Sequence, residues 1–160
     1  MTKAAQLAIQ AAGPAFAAYP STSQTVGGSV TTKLQVDTEF FDTASCFNNT
    51  GSTVNGIPAY AFKPNVAGYY QIQGSATFPI NASTAGVGAV LYKNASQYLW
   101  AGCAGNVFLY PTATVATLIY LNGSTDYVEL YIYNGTGGSA TTSAGAPSYS
   151  QFSGALVRAA

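Results

Sequence analysis

Apolar residues recur at every second position along most of this chain, and the runs are short. The clearest spans 69–78, where Tyr70, Ile72, Ala76 and Phe78 fall on one face and Gln71, Gln73, Ser75 and Thr77 on the other. Period two is the signature of a half-buried strand. Gly74 interrupts the apolar face, where a bulge or a close aromatic neighbour fits. Residues 32–40 alternate similarly, with Leu34, Val36 and Phe40 opposed to Lys33, Gln35, Asp37 and Glu39. Further strands are predicted at Pro14–Tyr19, Tyr60–Phe62, Val87–Tyr92, Tyr98–Cys103 and Gln151–Arg158. Residues 42–58 read as a loop anchored by Phe47, and 134–148 as a glycine-rich loop. The runs 114–121 and 127–133 read as a hairpin joined by Asn122, Gly123, Ser124 and Thr125. Nine or ten short strands, with no amphipathic helix after residue 13, predict an all-β sandwich or barrel. Periodicity alone leaves a jelly roll and an immunoglobulin-like sandwich both open. The Cys–Trp–Cys order of true immunoglobulin domains fails, because Trp100 lies just before Cys103.

Two strands carry more than fold class. In 127–133, Val128, Leu130 and Ile132 share one face, while Tyr127, Glu129, Tyr131 and Tyr133 share the other. Those tyrosines either shield an outer sheet or form a contact surface for a ligand or a neighbouring protein. Glu129 argues for a face that is wet or makes a secondary contact and does not lie in the main subunit interface, since a buried carboxylate needs a cation and none is evident. The run 115–121 is apolar on both faces: Val115, Ile119 and Leu121 against Ala116, Leu118 and Tyr120. A sandwich covers only one face of a strand, so the second calls for a loop or another subunit.

Composition sharpens that demand. Hydrophobic residues make up 48% of the 160 positions, which excludes disorder, yet only 6% are charged, against about 25% in ordinary soluble domains. Five basic and five acidic residues cancel, and the cations are scattered, so no footprint for nucleic acid or anionic membrane exists. No apolar stretch is long enough to span a bilayer. Residues 1–13 read as a short helix or linker, leaving 14–160 as one domain. Cys46 and Cys103 form neither a disulfide framework nor a metal motif, and two unpaired thiols are expected.

Chemistry is hard to find. Without histidine there is no Ser-His-Asp or Cys-His arrangement and no histidine-ligated zinc. Asp37 and Glu39 form a carboxylate pair, but they alternate with Lys33 and Gln35 along a solvent face. Asp42 and Asp126 lack the repeated oxygen-ligand spacing of a calcium loop. No cofactor and no enzymatic activity are predicted. The Asn-x-Ser/Thr triplets at Asn48, Asn81, Asn94, Asn122 and Asn134 are no more than this abundance of Asn, Ser and Thr produces by chance.

Five phrases, in order, resemble the C1q-like domain of the C1q and tumour-necrosis-factor superfamily. Phe62, Gly68 and Tyr70 match the family's Phe, five residues, Gly, any residue, Tyr, any residue, Phe, with Ile72 replacing the last aromatic. Phe41-Asp42 and Phe47-Asn48 resemble its "FD … FN" portion, followed by a longer segment from Asn49 to Ala59. Leu91, Lys93 and Asn94 resemble "L-x-K-N-G", with Ala95 where glycine is customary. Leu121, Gly123, Asp126, Val128 and Leu130 resemble "L-x-x-G-D-x-V-x-L" with two residues inserted. Ser150, Phe152, Ser153, Gly154 and Leu156 resemble the closing "S-x-F-S-G-x-L".

The resemblance implies a jelly-roll sandwich of two five-stranded antiparallel sheets, assembled as a homotrimer and used for recognition or scaffolding. Its expected interface includes Tyr70, Leu118, Ile119 and Tyr120, with Tyr127, Tyr131 and Tyr133 as ligand contacts. The opening residues and the Thr/Ala/Gly-rich style resemble fibre, tail or capsid-decorating proteins of bacterial viruses. A virion location is therefore expected, with other virion proteins and a host-surface glycan or protein as partners. A secreted carbohydrate- or protein-binding module is the alternative.

Overall fold

The computed structural model describes residues 13–78, 86–103, 110–145 and 149–160, and the side chain of Cys103 lies outside that description. The expected helix or linker at 1–13 falls outside it too, apart from Gly13. Among the described residues there is no helix. Twelve strands run in order: β1 (Ala15–Tyr19), β2 (Thr25–Val26), β3 (Val30–Lys33), β4 (Thr38–Asp42), β5 (Ala61–Phe62) and β6 (Ala67–Thr77), then β7 (Val87–Lys93), β8 (Ser96–Cys103), β9 (Thr112–Asn122), β10 (Val128–Asn134), β11 (Ala140–Thr141) and β12 (Gln151–Ala159).

They form two five-stranded antiparallel sheets. The first has the order β4-β1-β12-β6-β9; the second has β3-β10-β7-β8, with β5 also pairing β10. A two-stranded ribbon, β2 with β11, is added beside them. The inward residues of both sheets close one core, including Tyr70, Ile72, Ala76 and Phe78 from the strongest sequence run. Its densest part is aromatic. The Phe16 ring stacks on Phe62 at 4.4 Å and on Phe47 at 4.6 Å, and meets Phe152 edge-on at 4.9 Å. Tyr70 closes this cluster edge-on to Phe62, its buried hydroxyl donating to the Val66 carbonyl at 2.7 Å. Phe62, Tyr70 and Phe152, which anchored the family phrases, are thus packing residues.

Three sequence expectations are corrected. The run 32–40 is not one strand: β3 pairs with β10 in the second sheet and β4 with β1 in the first, and 34–37 cross between them. Leu34 and Val36 are buried as expected, but Phe40 is 51% exposed. The crossing and a register shift against β1 at Ala17/Ala18 break the alternation. Nor do 114–121 and 127–133 form a hairpin, since β9 pairs with β6 while β10 pairs with β7 and β3. The five-residue connection, 123–127, is an inter-sheet link, closed by Asn122, whose Oδ1 accepts N–H groups of Ser124, Thr125 and Asp126. Finally, Gly74 is neither a bulge nor under an aromatic ring. Its register with β9 and β12 is unbroken, and a Cβ there would come within 2.6 Å of Leu130 Cδ1 from the facing sheet.

Candidate functional site

The middle of the first sheet's outward face is uncharged and mixes alanine and serine with glutamine, and exposed Arg158 stands beside Tyr69 in the row at one end. One row across it reads Leu118, Gln71, Ala155, Ala15, and the next reads Ala116, Gln73, Ser153, Ala17, Phe41. Larger apolar groups stand at both ends of this floor. At the β9 end, Leu118 is 53% exposed and Tyr120 packs edge-on to exposed Tyr69 at 5.5 Å. At the β4 end, Phe40 and Phe41 are exposed, and the Phe40 ring lies 4.8 Å from that of Tyr19. Exposed apolar groups thus flank a neutral polar centre, and clusters of such groups on a monomer mark contact sites.

Of the four residues expected at a subunit interface, Leu118 and Tyr120 lie on this face. Tyr70 and Ile119 do not: they are buried in the protomer's own core, at 0% and 2% exposure. Register explains the split. Ile119 pairs directly with Tyr70, and that whole pair faces inward, so Leu118 and Tyr120 on either side must face outward. Sequence reasoning missed Phe40, Phe41 and Tyr69. Tyr69 was legible as the outward neighbour of Tyr70, whereas the two phenylalanines depend on the β4 register shift.

The outward face of the second sheet carries the tyrosines. Tyr127, Tyr131 and Tyr133 are half-buried, and Tyr131 stacks on Tyr92 at 4.0 Å. The premise that no cation meets Glu129 is overturned. Glu129 is 2% exposed, and Lys33 Nζ meets its Oε1 at 2.5 Å while also donating to the Ala59 carbonyl. The pairing of β3 with β10 sets Lys33 opposite Tyr131, which brings the required cation to Glu129 from a distant part of the chain. Lys33 Nζ also lies 5.6 Å from the Tyr131 ring centre. Burial, then the Glu129 charge and neighbouring tyrosines, push the Tyr131 phenol up to about 12. Tyr127 is raised by burial and then by Glu129. Tyr131 therefore lies beside the Lys33–Glu129 pair, and Tyr127 lies close enough to Glu129 to feel its charge.

More open aromatic surface lies along β8, where sequence reasoning assigned nothing. Trp100 is 51% exposed and Tyr98 48%, while their neighbours Leu99 and Ala101 pack against the core. Trp100 follows Tyr98 by two positions, a period-two signal visible in the sequence.

The other polar candidates hold loops together. Asp42 accepts N–H groups of Ala44 and Phe47; Asp37 accepts both the N–H and the hydroxyl of Ser21. Burial works to raise Asp37, yet its hydrogen bonds leave its pKa below the ordinary value. Asp126 binds Lys93 at 2.9 Å and accepts from Asn94 and from the Asn122 N–H. There too burial is outweighed, by Asn94, Lys93 and Asn122, and the pKa is lowered. Buried Asn48 donates to three carbonyls of the segment after it, and buried Asn134 to those of Val26, Gly27 and Gly138. These glycosylation-like triplets are turn caps; Asn81 lies outside the described residues. Cys46 is a buried free thiol, pushed up by burial. Among the described residues no three acidic or cysteine side chains gather as a metal site, and no helix could cross a membrane.

No protein-family model matches this chain, and no curated protein sequence does. Its likeness is to solved structures. Murine APRIL at pH 5.0 superposes with a TM-score of 0.66 at 11% identity, covering 91% of this chain and 99% of that one. The globular domain of zebrafish complement 1qA gives 0.63 at 14%, covering 92% and 99%. The PRD1 vertex protein P5 gives 0.62 at 15%, covering 92% and 99%. The chain has the C1q/TNF jelly-roll fold expected of it.

Proposed function

We propose that this chain is a virion structural or decorating protein whose heads are homotrimers joined through the outward face of the first sheet. The observation that carries this reading is that face itself, a floor of alanine, serine and glutamine with exposed Leu118, Tyr120, Tyr69, Phe40 and Phe41 around it. Small residues let another backbone approach closely, and bulky groups at the ends give the contact its register. A closed three-fold assembly covers the face on every subunit and stops growth there, which an open apolar patch does not. The scarcity of charge then has a reason, because a surface hidden between subunits needs no ions to stay soluble.

The virion setting draws support from the shared fold with a protein named as a vertex protein. Host-surface adhesion would fall to the second sheet, which faces away from the proposed contact. The alternative, a secreted carbohydrate- or protein-binding module, is favoured by the exposed aromatics of β8. No step in either reading requires an active site.

Light scattering at micromolar concentration tests the assembly. A mass about three times the 16.4 kDa of one chain is expected, and a well-behaved monomer overturns it. Immunogold labelling of virus particles from the source culture tests the setting: labelled particles are expected, and label confined to the medium favours the secreted module.

A further inference from the structure

Trp100 lies flat on the outer face of the second sheet, and two glycines make that possible. A Cβ on Gly102 would fall 2.2 Å from Trp100 Cη2, and one on Gly88 would fall 2.9 Å from its Nε1. Gly88 and Gly102 are directly paired across β7 and β8. The indole therefore rests on bare backbone of two strands, where any side chain at either position would lift it. One ring face is against the sheet, and with 51% of the residue exposed the other is open.

The surroundings define what such a surface can hold. Across the sheet from Trp100 the row continues through Val90 and Tyr131 to Lys33, and Gly88 is flanked on its other side by Tyr133. At roughly 4.8 Å per strand, Tyr131 starts about 10 Å from Trp100, and Tyr133 about 5 Å from the glycine beneath the ring. Tyr98 adds a second exposed ring two residues along β8. Among the described residues, Lys33 and Glu129 are the charges in these rows, and they neutralise each other.

We infer that Trp100, with Tyr98 and Tyr133 beside it, is a binding platform for a neutral oligosaccharide. A pyranose offers a flat face of C–H groups that lies against an aromatic ring, while its equatorial hydroxyls point sideways. Here those hydroxyls would meet the phenols of Tyr98 and Tyr133. A ring laid flat is poorly shaped as an anchor for a protein partner, because such anchors project into a pocket. With the charges of these rows paired among the described residues, an acidic sugar finds no free cation there. This deepens the adhesion part of the proposed function and is independent of whether the chains form trimers.

Trp100 is the only tryptophan, so its fluorescence reports this platform directly. Hexasaccharides of glucose, galactose, mannose and N-acetylglucosamine, and of alginate as the acidic arm, are titrated into the full chain to millimolar concentration. At least one neutral hexasaccharide should give a saturable blue shift and protect Trp100 from acrylamide quenching. Trp100→Ala should abolish binding measured by calorimetry. Gly102→Val should weaken it at least tenfold with the fold retained by circular dichroism, since it tilts the ring without removing it. Saturable binding that survives both substitutions overturns the assignment. So does response to alginate alone, or no saturable change with any neutral probe. Mass by light scattering is read on the same samples, so a failed sugar site and a failed trimer are separately visible.

Discussion

Lys33 and Glu129 stand 96 residues apart in the chain, yet Nζ of one lies 2.5 Å from Oε1 of the other. The carboxylate is buried, its second oxygen accepts no hydrogen bond among the described residues, and the lysine spans from it to the Ala59 carbonyl. The pair joins β10 and β3 to the end of the segment that precedes β5. Lys33→Met leaves a buried carboxylate without its cation and should cost about 3 kcal/mol. Urea denaturation checks this. Lys33→Met combined with Glu129→Leu should recover most of the loss, and a double variant no better than the single one would show that the charge is not the issue.

Adjacent residues on β9 should behave oppositely. Ile119→Asp places a charge in the core and should unfold the protomer. Leu118→Asp should leave the fold intact and shift the mass from trimer to monomer. Circular dichroism and light scattering on both variants decide it, and a Leu118→Asp protein that stays trimeric removes this face from the interface.

The β7–β8 hairpin turns at Asn94 and Ala95 with φ of 52° and 61°. Two consecutive left-handed residues make the turn that suits a two-residue hairpin, and alanine is strained there. Ala95→Gly should stabilise the protein by about 0.5–1 kcal/mol despite the added freedom of its unfolded chain. The thermal midpoint should rise, and an unchanged or lower midpoint contradicts the turn geometry.

Asp37 and Asp126 are held below their ordinary pKa by hydrogen bonds, with Lys93 adding its charge at Asp126, against the opposing pull of burial. A depressed carboxylate contributes stability that is present above its unfolded pKa and lost as pH falls through the folded one. Stability should therefore decline below about pH 4. Asp126→Asn should be less stable at pH 7 and show a shallower acid decline. Glu39 acts in the reverse sense: burial and then Asp42 raise it, so its contribution favours low pH and fades as pH rises.

Gly74 admits no side chain, because Leu130 of the opposite sheet occupies the space. Gly74→Val should cost about 1–3 kcal/mol through overpacking. Combining it with Leu130→Ala should restore part of that loss, and simple additivity in chemical denaturation would place the strain elsewhere.

Alternation along the chain was enough to define β6, the inward set of β10 and the all-β class, because strand periodicity is a property of consecutive residues. The family phrases were legible for a related reason: Phe62, Tyr70 and Phe152 are core residues whose spacing follows from the strands that carry them. Tertiary structure decided what a strand's neighbours are. Ile119 and Leu118 sit on equally apolar faces, and only pairing with Tyr70 on β6 settled which one is inside. The link at 122–125 looks like a hairpin until each flanking strand's partner is known. Phe40 left its apparent face because β4 is bulged and belongs to a different sheet from β3. Glu129 looked unpaired because its cation arrives from β3, and Trp100 looked ordinary because the glycines beneath it lie on two strands. Local pattern sets which way a side chain alternates, whereas pairing between distant segments sets what it meets.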